Sequence, residues 1–175
     1  MRVTLIRHTS VAVEKGTCYG WSDVPVSDTF AQEAAATKSR LDGKTFDLVF
    51  TSPLRRARLL AAYCGYPSAR VDDRLREMSM GQWEMRRYDD IDDPYLQRWY
   101  ADYLNLPTPG GESYRMLFAR VADFLDELRL SSCDTAAVFA HGGVLLSAGV
   151  YCGMYDEETM FSHLAPYGGV IEMDI

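Results

Sequence analysis

Short apolar runs alternate with segments of helical periodicity along most of the chain, and this alternation constrains the fold more than any other feature. Residues 2–6, 46–50 and 135–140 are typical of buried strands, and helical patterns separate them. This order predicts an α/β architecture with a mainly parallel sheet. Residues 168–174 are predicted to form a last, antiparallel edge strand. No repeat or linker divides the 175 residues, so we expect one domain over residues 1–175.

Capping residues and chain breakers set the predicted helix boundaries. Asp28 is predicted as the N-cap of the first helix, and Ser52 as the N-cap of a second helix whose first residue is Pro53. No regular structure is predicted for residues 72–87. The acidic residues between 89 and 93 are interpreted as a solvated helix start. The predicted helices cover residues 29–41, 53–64, 112–130 and 144–152, with a shorter one ending near residue 105.

Charge and composition exclude several classes of partner. The chain has 18 Lys+Arg against 25 Asp+Glu, a formal net charge of −7, which argues against nucleic acid and anionic membranes. Its 15 arginines outnumber its 3 lysines, and arginine suits carboxylate and phosphate oxygens. The four cysteines lack metal-ligand spacing, and no apolar run approaches a membrane span. We therefore expect a cytoplasmic protein without a metal.

Basic and imidazole side chains follow three of the predicted strands. The first strand ends in Arg7 and His8, the second leads into a helix that starts with Arg55 and Arg56, and the late strand ends in His141. Groups at the carboxyl ends of parallel strands converge on one crevice, where helix N-termini also direct their amides. Taken singly, each residue is more often structural than catalytic. Together they predict a site for a tetrahedral dianion.

Other chemistries fit the sequence less well. There is no GxxxxGK[ST] loop and no GxSxG elbow, so a P-loop nucleotide hydrolase and a serine hydrolase are not expected. Cys64 and Arg70 have the spacing of cysteine phosphatases, but the order of predicted elements around them is reversed, and Pro67 removes a backbone amide. Two histidines without a carboxylate at short spacing do not make a metal site. No cofactor is predicted.

Five motifs, in order along the chain, carry a resemblance to a known family. They are Leu5-Ile6-Arg7-His8, Ser52-Pro53-Leu54-x-Arg56-Ala57, Leu75-Arg76-Glu77 with Trp83-Glu84, Gly110-Gly111-Glu112-Ser113, and Ala140-His141-Gly142-Gly143. Together they resemble the histidine phosphatase family, the relatives of cofactor-dependent phosphoglycerate mutase. The resemblance implies a three-layer αβα fold and a phosphohistidine intermediate.

The resemblance also implies a role for each motif residue. His8 would be the nucleophile, with its second ring nitrogen held by a carbonyl. Arg7, Arg56 and His141 would bind the non-bridging phosphate oxygens, and Arg56 rather than Arg55 occupies the family position. The backbone amide of Gly142 would add a further donor.

Glu77 resembles the acid of the family. It would protonate the departing alkoxide and then take a proton from the water that hydrolyses the phosphohistidine. The alternative is a surface carboxylate that forms an ion pair with Arg74 or Arg76. The sequence leaves both interpretations open.

The chain departs from the family after His8, where Thr9 replaces the usual glycine and a later asparagine is missing. Thr9 and Thr17 are candidates to replace those contacts. The segment around Tyr19, residues 16–25, resembles the substrate loop of α-ribazole phosphatases, which act in the nucleotide-loop stage of cobalamin synthesis. Tyr19, Trp21 and Trp83 are candidates to stack on a benzimidazole, although each is more often core.

Three functions remain in competition from the sequence. The first is a phosphomonoesterase that prefers α-ribazole 5′-phosphate. The second is a phosphoglycerate mutase or a broad-specificity metabolite phosphatase, and the third is a phospholigand-binding module without catalysis. The partner in every case is a small phosphomonoester, and a homodimer is one assembly that the sequence allows.

Overall fold

A five-stranded sheet forms the centre of the computed structural model, which describes residues 1–175. The strands lie in the order β3-β2-β4-β1-β5. Strands β1 to β4 are mutually parallel, and β5 pairs antiparallel with β1 at one edge. The predicted α/β class and the antiparallel edge strand are confirmed. The bounds are β1 (Arg2–Arg7), β2 (Leu48–Thr51), β3 (Arg70–Val71), β4 (Thr135–Ala140) and β5 (Val170–Asp174).

The chain forms five α-helices, four of which cover the two faces of the sheet. The five helices are α1 (Phe30–Arg40), α2 (Arg55–Tyr63), α3 (Tyr95–Ala101), α4 (Tyr114–Arg129) and α5 (Gly142–Tyr151). Alternate residues of β4 point to opposite faces, as in any strand. Val138 packs in a core cluster with α4 and α5, whereas Phe139 packs in a second cluster with α1 and α2. The result is the three-layer αβα arrangement that the resemblance implied.

The predicted N-caps of the first two helices are wrong. Thr29, and not Asp28, precedes α1. Helix α2 begins at Arg55 with Leu54 as its N-cap, because Pro53 and Leu54 lie in a bend before it. The hydroxyl of Ser52 accepts from Leu54 N at 3.3 Å and lies 2.7 Å from a histidine nitrogen, so Ser52 belongs to the crevice and not to the helix.

The segment at residues 72–87, for which no structure was predicted, contains short 3₁₀ turns at Asp73–Leu75 and Gly81–Trp83. The residues between these turns lie outside regular structure and cross the carboxyl end of the sheet. The acidic cluster leads into α3, where Asp93 accepts a hydrogen bond from Tyr95 N at 2.9 Å. The interpretation of this cluster as a helix start is confirmed for Asp93, whereas Asp89 and Asp90 lie in a separate 3₁₀ turn, Tyr88–Asp90.

The register of the parallel strands brings the three predicted strand ends together. Arg7 pairs with Ala140, and Thr51 pairs with Phe139, so β1, β2 and β4 end at nearly the same level. His8, Ser52 and His141 follow these strands directly. None of the helices is long and apolar enough to cross a membrane.

Candidate active site

His8 lies at the end of β1 with its imidazole held in one tautomer. Its backbone N–H donates to Ala140 O at 3.0 Å, and its ring Nδ1 lies 2.7 Å from Thr9 O. Because a carbonyl can only accept, Nδ1 carries the proton and Nε2 keeps its lone pair. Burial, followed by the positive charge of Arg56, lowers the pKa of His8 to about 3. The ring is therefore neutral at physiological pH, and it has the carbonyl contact that the sequence interpretation required.

His141 follows β4, and its ring centroid lies 5.1 Å from that of His8. The side chain is fully buried, its Nε2 lies 2.7 Å from Ser52 Oγ, and its Nδ1 has no partner. The Ser52 oxygen also accepts from Leu54 N. When the Ser52 hydroxyl donates to Nε2, the imidazole proton of His141 lies on Nδ1. Burial, followed by the charge of Arg56, lowers the pKa of His141 well below its usual value.

Arg56 is buried without a carboxylate partner. It is 0% exposed, and its Nη1 and Nη2 donate to the carbonyls of Ser22 at 2.9 Å and Gly20 at 2.7 Å, while its Nε has no partner. Burial lowers the pKa of its guanidinium. Nearby carboxylates oppose that change, and Glu77 has the largest effect among them. Arg55 is exposed. A buried cation held only by carbonyls is the arrangement expected where an anion binds.

Arg7 lines the cavity that opens beside His8. Its Nη1 donates to Ala165 O at 2.5 Å, and its guanidinium carbon lies 4.2 Å from the centroid of the Tyr167 ring. Its Nε has no hydrogen-bond partner, and Arg7 forms no ion pair with the protein. Arg7 and Arg56 thus each retain unused donor capacity near the two imidazoles.

Glu77 lies in the same cavity wall as Arg7 and His8. Its Oε1 accepts from Met78 N at 2.9 Å, and its Oε2 accepts from Gly143 N at 3.1 Å. A Cβ at position 143 would lie 2.3 Å from Glu77 Oε1, so a side chain there would displace the Glu77 carboxylate. The alternative interpretation of Glu77 as a partner of Arg74 or Arg76 is wrong: those arginines pair with Asp72, Asp73, Asp123 and Glu127.

The remaining predicted residues divide between the cavity and its surroundings. Gly142 and Tyr19 line the cavity. Thr9 is fully buried and contributes its carbonyl to His8, but its hydroxyl has no partner. Thr17 does not line the cavity and instead forms an isolated β-bridge with Arg87. The structure therefore gives Thr17 no contact with the site.

Tyr19, which lines the cavity, forms a pair with Tyr167, which does not. Their hydroxyl oxygens lie 3.1 Å apart, the Tyr19 ring centroid lies 5.3 Å from Arg56 Cζ, and the Tyr167 ring lies 5.5 Å from His8. Burial and the neighbouring phenol raise the pKa of Tyr19. The sequence analysis missed Tyr167, which belongs to none of the five motifs, and no spacing rule places it beside residues 7 and 8.

Glu84 fixes the loop that holds Arg56. Its two carboxylate oxygens accept backbone N–H groups from Gly20, Trp21, Ser22 and Met80 at 2.8–3.1 Å. Burial opposes ionisation of Glu84, but these hydrogen bonds outweigh it and lower the pKa of the carboxyl. The carbonyls of the same loop bind the Arg56 guanidinium, so Glu84 acts on the site through Arg56.

The cavity has a volume of about 460 Å³ and two chemically different ends. Its polar end contains Arg7, His8, Glu77 and the glycines after His141. Of its 17 lining residues 12 are hydrophobic, so most of its wall is apolar. Aromatic rings dominate that wall, namely Tyr88, Trp99, Tyr100, Tyr103, Tyr114 and Phe161.

Two predicted stacking residues lie outside this cavity. Trp83 is buried in a core cluster against Trp99, and Trp21 packs with Arg76, whose Cζ lies 5.1 Å from the ring centroid. No group of three or more His, Cys, Asp or Glu side chains is arranged to hold a metal ion.

Comparison with known proteins identifies the family of this chain. The family model described as the histidine phosphatase superfamily (branch 1) matches residues 3–175. The chain belongs to this superfamily. The phosphatase class inferred from the strand ends and motifs is thereby confirmed.

Relatives within the superfamily have different names. An adenosylcobalamin/alpha-ribazole phosphatase of Escherichia coli is 30% identical over 83% of this chain and 75% of its own length. A 2,3-bisphosphoglycerate-dependent phosphoglycerate mutase of Methylobacterium is 32% identical over 72% of this chain and 67% of its own. Phosphoserine phosphatases of Hydrogenobacter thermophilus also match.

The crystal structure of the alpha-ribazole phosphatase from Shigella flexneri superposes with a TM-score of 0.90 at 27% identity, covering 100% of this chain and 91% of that one. This similarity extends over the whole sheet and both helical layers. The family model and this superposition agree on the superfamily of the chain. The substrate within the superfamily is inferred from the cavity.

Proposed function

We propose that the protein hydrolyses phosphomonoesters through a phosphohistidine at His8, and that its substrate is α-ribazole 5′-phosphate. The observation that carries this proposal is the two-ended cavity. One end places the neutral imidazole of His8 beside Arg7, close to the buried charge of Arg56, which does not line the cavity; neither arginine has a carboxylate partner, and the other end is an aromatic wall. The first end fits a phosphate, and the second fits a large apolar leaving group.

In the first step, Nε2 of His8 attacks phosphorus. The N–P bond forms while the ester P–O bond breaks, and Arg7, Arg56, the Nδ1–H of His141 and the amide of Gly142 hold the non-bridging oxygens. Preplaced cations and donors supply most of the catalysis of phosphoryl transfer. As the general acid, Glu77 gives a proton to the departing alkoxide.

In the second step, water attacks the phosphohistidine. Glu77, now a carboxylate, accepts a proton from that water, and the electrons of the N–P bond return to Nε2 of His8. Inorganic phosphate leaves, and both His8 and Glu77 recover their initial states. The carbonyl of Thr9 keeps the His8 proton on Nδ1 throughout, so that Nε2 is free for each cycle.

The aromatic wall selects among the substrates named for the relatives. Phosphoserine and the phosphoglycerates carry charged groups beside the phosphate, and these groups need charged or polar partners. Arg7 is the one arginine or lysine in the cavity wall. A benzimidazole ring is planar and mostly apolar, and it would gain contact with the tyrosine and tryptophan rings. The wall therefore favours α-ribazole phosphate over the small charged esters.

A panel assay tests the substrate. We expect kcat/KM for α-ribazole 5′-phosphate to exceed the values for phosphoserine and 3-phosphoglycerate by roughly 100-fold or more, because the charged esters lack partners. Equal values across the panel would indicate a broad-specificity phosphatase. Phosphoglycerate isomerisation faster than phosphate release would indicate the mutase.

A second assay tests the mechanism, with an aryl phosphate and a chelator present. His8→Ala should lose roughly 1,000-fold or more in kcat, because it removes the nucleophile. Acid-labile, base-stable phosphate on the protein should be trapped in the wild type and absent from the variant. Activity that survives His8→Ala, or that the chelator abolishes, would disprove the phosphohistidine mechanism.

A further inference from the structure

The backbone that carries Glu77 has no regular secondary structure to fix it. Residues 76–80 lie between the 3₁₀ turns Asp73–Leu75 and Gly81–Trp83. Carbonyl groups in such a segment have no strand or helix partner, so they need other donors. A general acid must nevertheless be held within hydrogen-bond reach of the leaving-group oxygen.

Arg120, in the middle of α4, supplies those donors. Its Nη1 donates to Arg74 O and Arg76 O, both at 2.6 Å, and its Nη2 donates to Glu77 O at 2.9 Å. Its remaining N–H groups bind Glu112, with Nε to Oε1 and Nη2 to Oε2, both at 2.8 Å. All five N–H groups of the guanidinium are therefore used, three of them on the backbone before and at Glu77.

Glu112 holds the other side of the same segment. Its Oε2 also accepts the backbone N–H of Ser79 at 2.8 Å. Together, Arg120 and Glu112 bind the chain on both sides of the Glu77 side chain. The side chains of the pair are only 17% and 12% exposed, so water competes weakly for these contacts.

We propose that Arg120, oriented by Glu112, is a positioning residue that fixes the backbone of Glu77 so that its carboxyl reaches the leaving-group oxygen. This inference rests on the proposed role of Glu77 as general acid. Met78 N and Gly143 N hold the carboxylate of Glu77, and Arg120 holds the backbone of the same residue through its carbonyl. A shift of about 1 Å in such a group can cost roughly 100-fold in rate.

The test uses two classes of leaving group. An alkyl phosphate must receive a proton as its alkoxide departs, whereas 4-nitrophenyl phosphate can release a stable phenolate without one. The readout is kcat/KM, because it includes only the steps up to formation of the phosphoenzyme. We expect Glu77→Gln to lose about 100-fold or more on the alkyl phosphate and under threefold on the nitrophenyl ester.

Arg120→Gln should show the same selectivity to a smaller degree. We expect a loss of about 10- to 100-fold on the alkyl phosphate, with little change on the nitrophenyl ester. A merely structural role would lower both values together. Arg74→Gln is the matched control, since Arg74 also joins this segment to α4 by ion pairs but donates to none of the carbonyls that Arg120 binds. Arg74→Gln should leave the ratio of kcat/KM for the alkyl phosphate to kcat/KM for the nitrophenyl ester unchanged.

The outcomes separate this inference from the proposed function. If Glu77→Gln is selective but Arg120→Gln affects both substrates equally, or neither, Arg120 does not position the acid. If Glu77→Gln itself shows no selectivity, the acid assignment fails and this inference fails with it. Should Arg120→Gln not fold, Glu112→Gln keeps the arginine and weakens both its pair with Arg120 and its contact with Ser79 N, and the same selective loss is expected from it.

Discussion

The buried guanidinium of Arg56 carries a full positive charge, and no carboxylate of the protein forms an ion pair with it. Removing such a charge from water is costly, and carbonyl dipoles compensate it only in part. A phosphate bound beside it would supply the missing negative charge. Affinity for phosphate and stability of the folded chain are therefore linked at this residue.

Inorganic phosphate at 100 times its Kd should raise the free energy of unfolding of the wild type by about 2.7 kcal/mol. Arg56→Met should abolish this stabilisation, because it removes the buried cation. Chemical denaturation with and without phosphate measures the difference. Arg55→Met is the control, since Arg55 is the exposed neighbour, and it should retain the effect. Equal loss in both variants would show that general positive charge, and not the buried site, binds phosphate.

Ser52→Ala should lower kcat by about 10- to 100-fold while the fold persists. The change removes the hydroxyl that lies 2.7 Å from His141 Nε2, so the tautomer of His141 is no longer fixed. ¹⁵N NMR of the imidazole should show a mixture of tautomers in the variant.

The control for Ser52 is Ser113→Ala, which also removes a buried serine hydroxyl. Ser113 caps α4 through a hydrogen bond from Met116 N at 3.3 Å and touches no histidine. It should cost about 1 kcal/mol of stability and leave kcat unchanged. A kcat for Ser52→Ala as high as that of Ser113→Ala would contradict the role assigned to Ser52.

At the residue scale, the sequence predicted the groups that follow strands and missed those that reach the site from elsewhere. His8, His141 and Arg56 could be found because a strand end or a motif marks them. Tyr167 and Arg120 carry no such mark, since they act through contacts between distant parts of the chain. Thr17 was a candidate to replace a family contact that this chain lacks, but its backbone forms a bridge with Arg87 instead.

At the scale of elements, the loop at residues 18–23 depends on one carboxylate. Glu84→Gln should weaken it, because an amide has one acceptor oxygen where the carboxylate offers two charged ones. We expect the Kd for inorganic phosphate to rise by roughly 10-fold or more as the carbonyls of the loop release Arg56. Calorimetric titration with phosphate measures this change.

Asp47→Asn is the control for Glu84. The Asp47 carboxylate likewise accepts two backbone N–H groups, those of Asp134 and Thr135, at 3.1 and 2.9 Å, but it lies where β2 and β4 begin. Each variant should lose some stability through the weakened backbone contacts. Only Glu84→Gln should change the affinity for phosphate, and an equal change in both would refute the connection from Glu84 to Arg56.

Strands and long helices followed from periodicity, and the errors lie where tertiary contacts override local signals. Ser52-Pro53 is a typical helix start, but in the fold Ser52 contacts His141 and α2 begins at Arg55. The sequence of residues 72–87 shows neither helical nor strand periodicity. Side chains such as Glu84, Glu112 and Arg120 hold its backbone in place of regular secondary structure. No local pattern encodes such contacts, so this segment could not be predicted.

At the scale of the whole molecule, two buried neutral imidazoles make stability depend on pH. The pKa of His8 falls to about 3, and that of His141 also lies well below the usual 6.5, whereas both return toward 6.5 on unfolding. The unfolded chain therefore binds more protons below pH 6.5, and stability is lost as the pH falls. Each histidine contributes a slope that approaches about 1.4 kcal/mol per pH unit in this range.

Urea denaturation between pH 6.5 and 5 measures this slope. His8→Gln should reduce it, because one of the two proton-linked groups is gone. His163→Gln should leave it unchanged, since the side chain of His163 is exposed. A slope in His8→Gln equal to that of the wild type would contradict the burial of a neutral imidazole at this position.

The contact between Arg7 and the carbonyl of Ala165 joins groups separated by 158 positions in sequence. Closing so long a loop is slow and entropically unfavourable, so contacts of this kind form late in folding. Helices α1 and α2 can form from local interactions well before it. During refolding, helical structure should therefore return before phosphatase activity. A chain that has not yet brought these distant segments together has no complete site with which to act on a substrate.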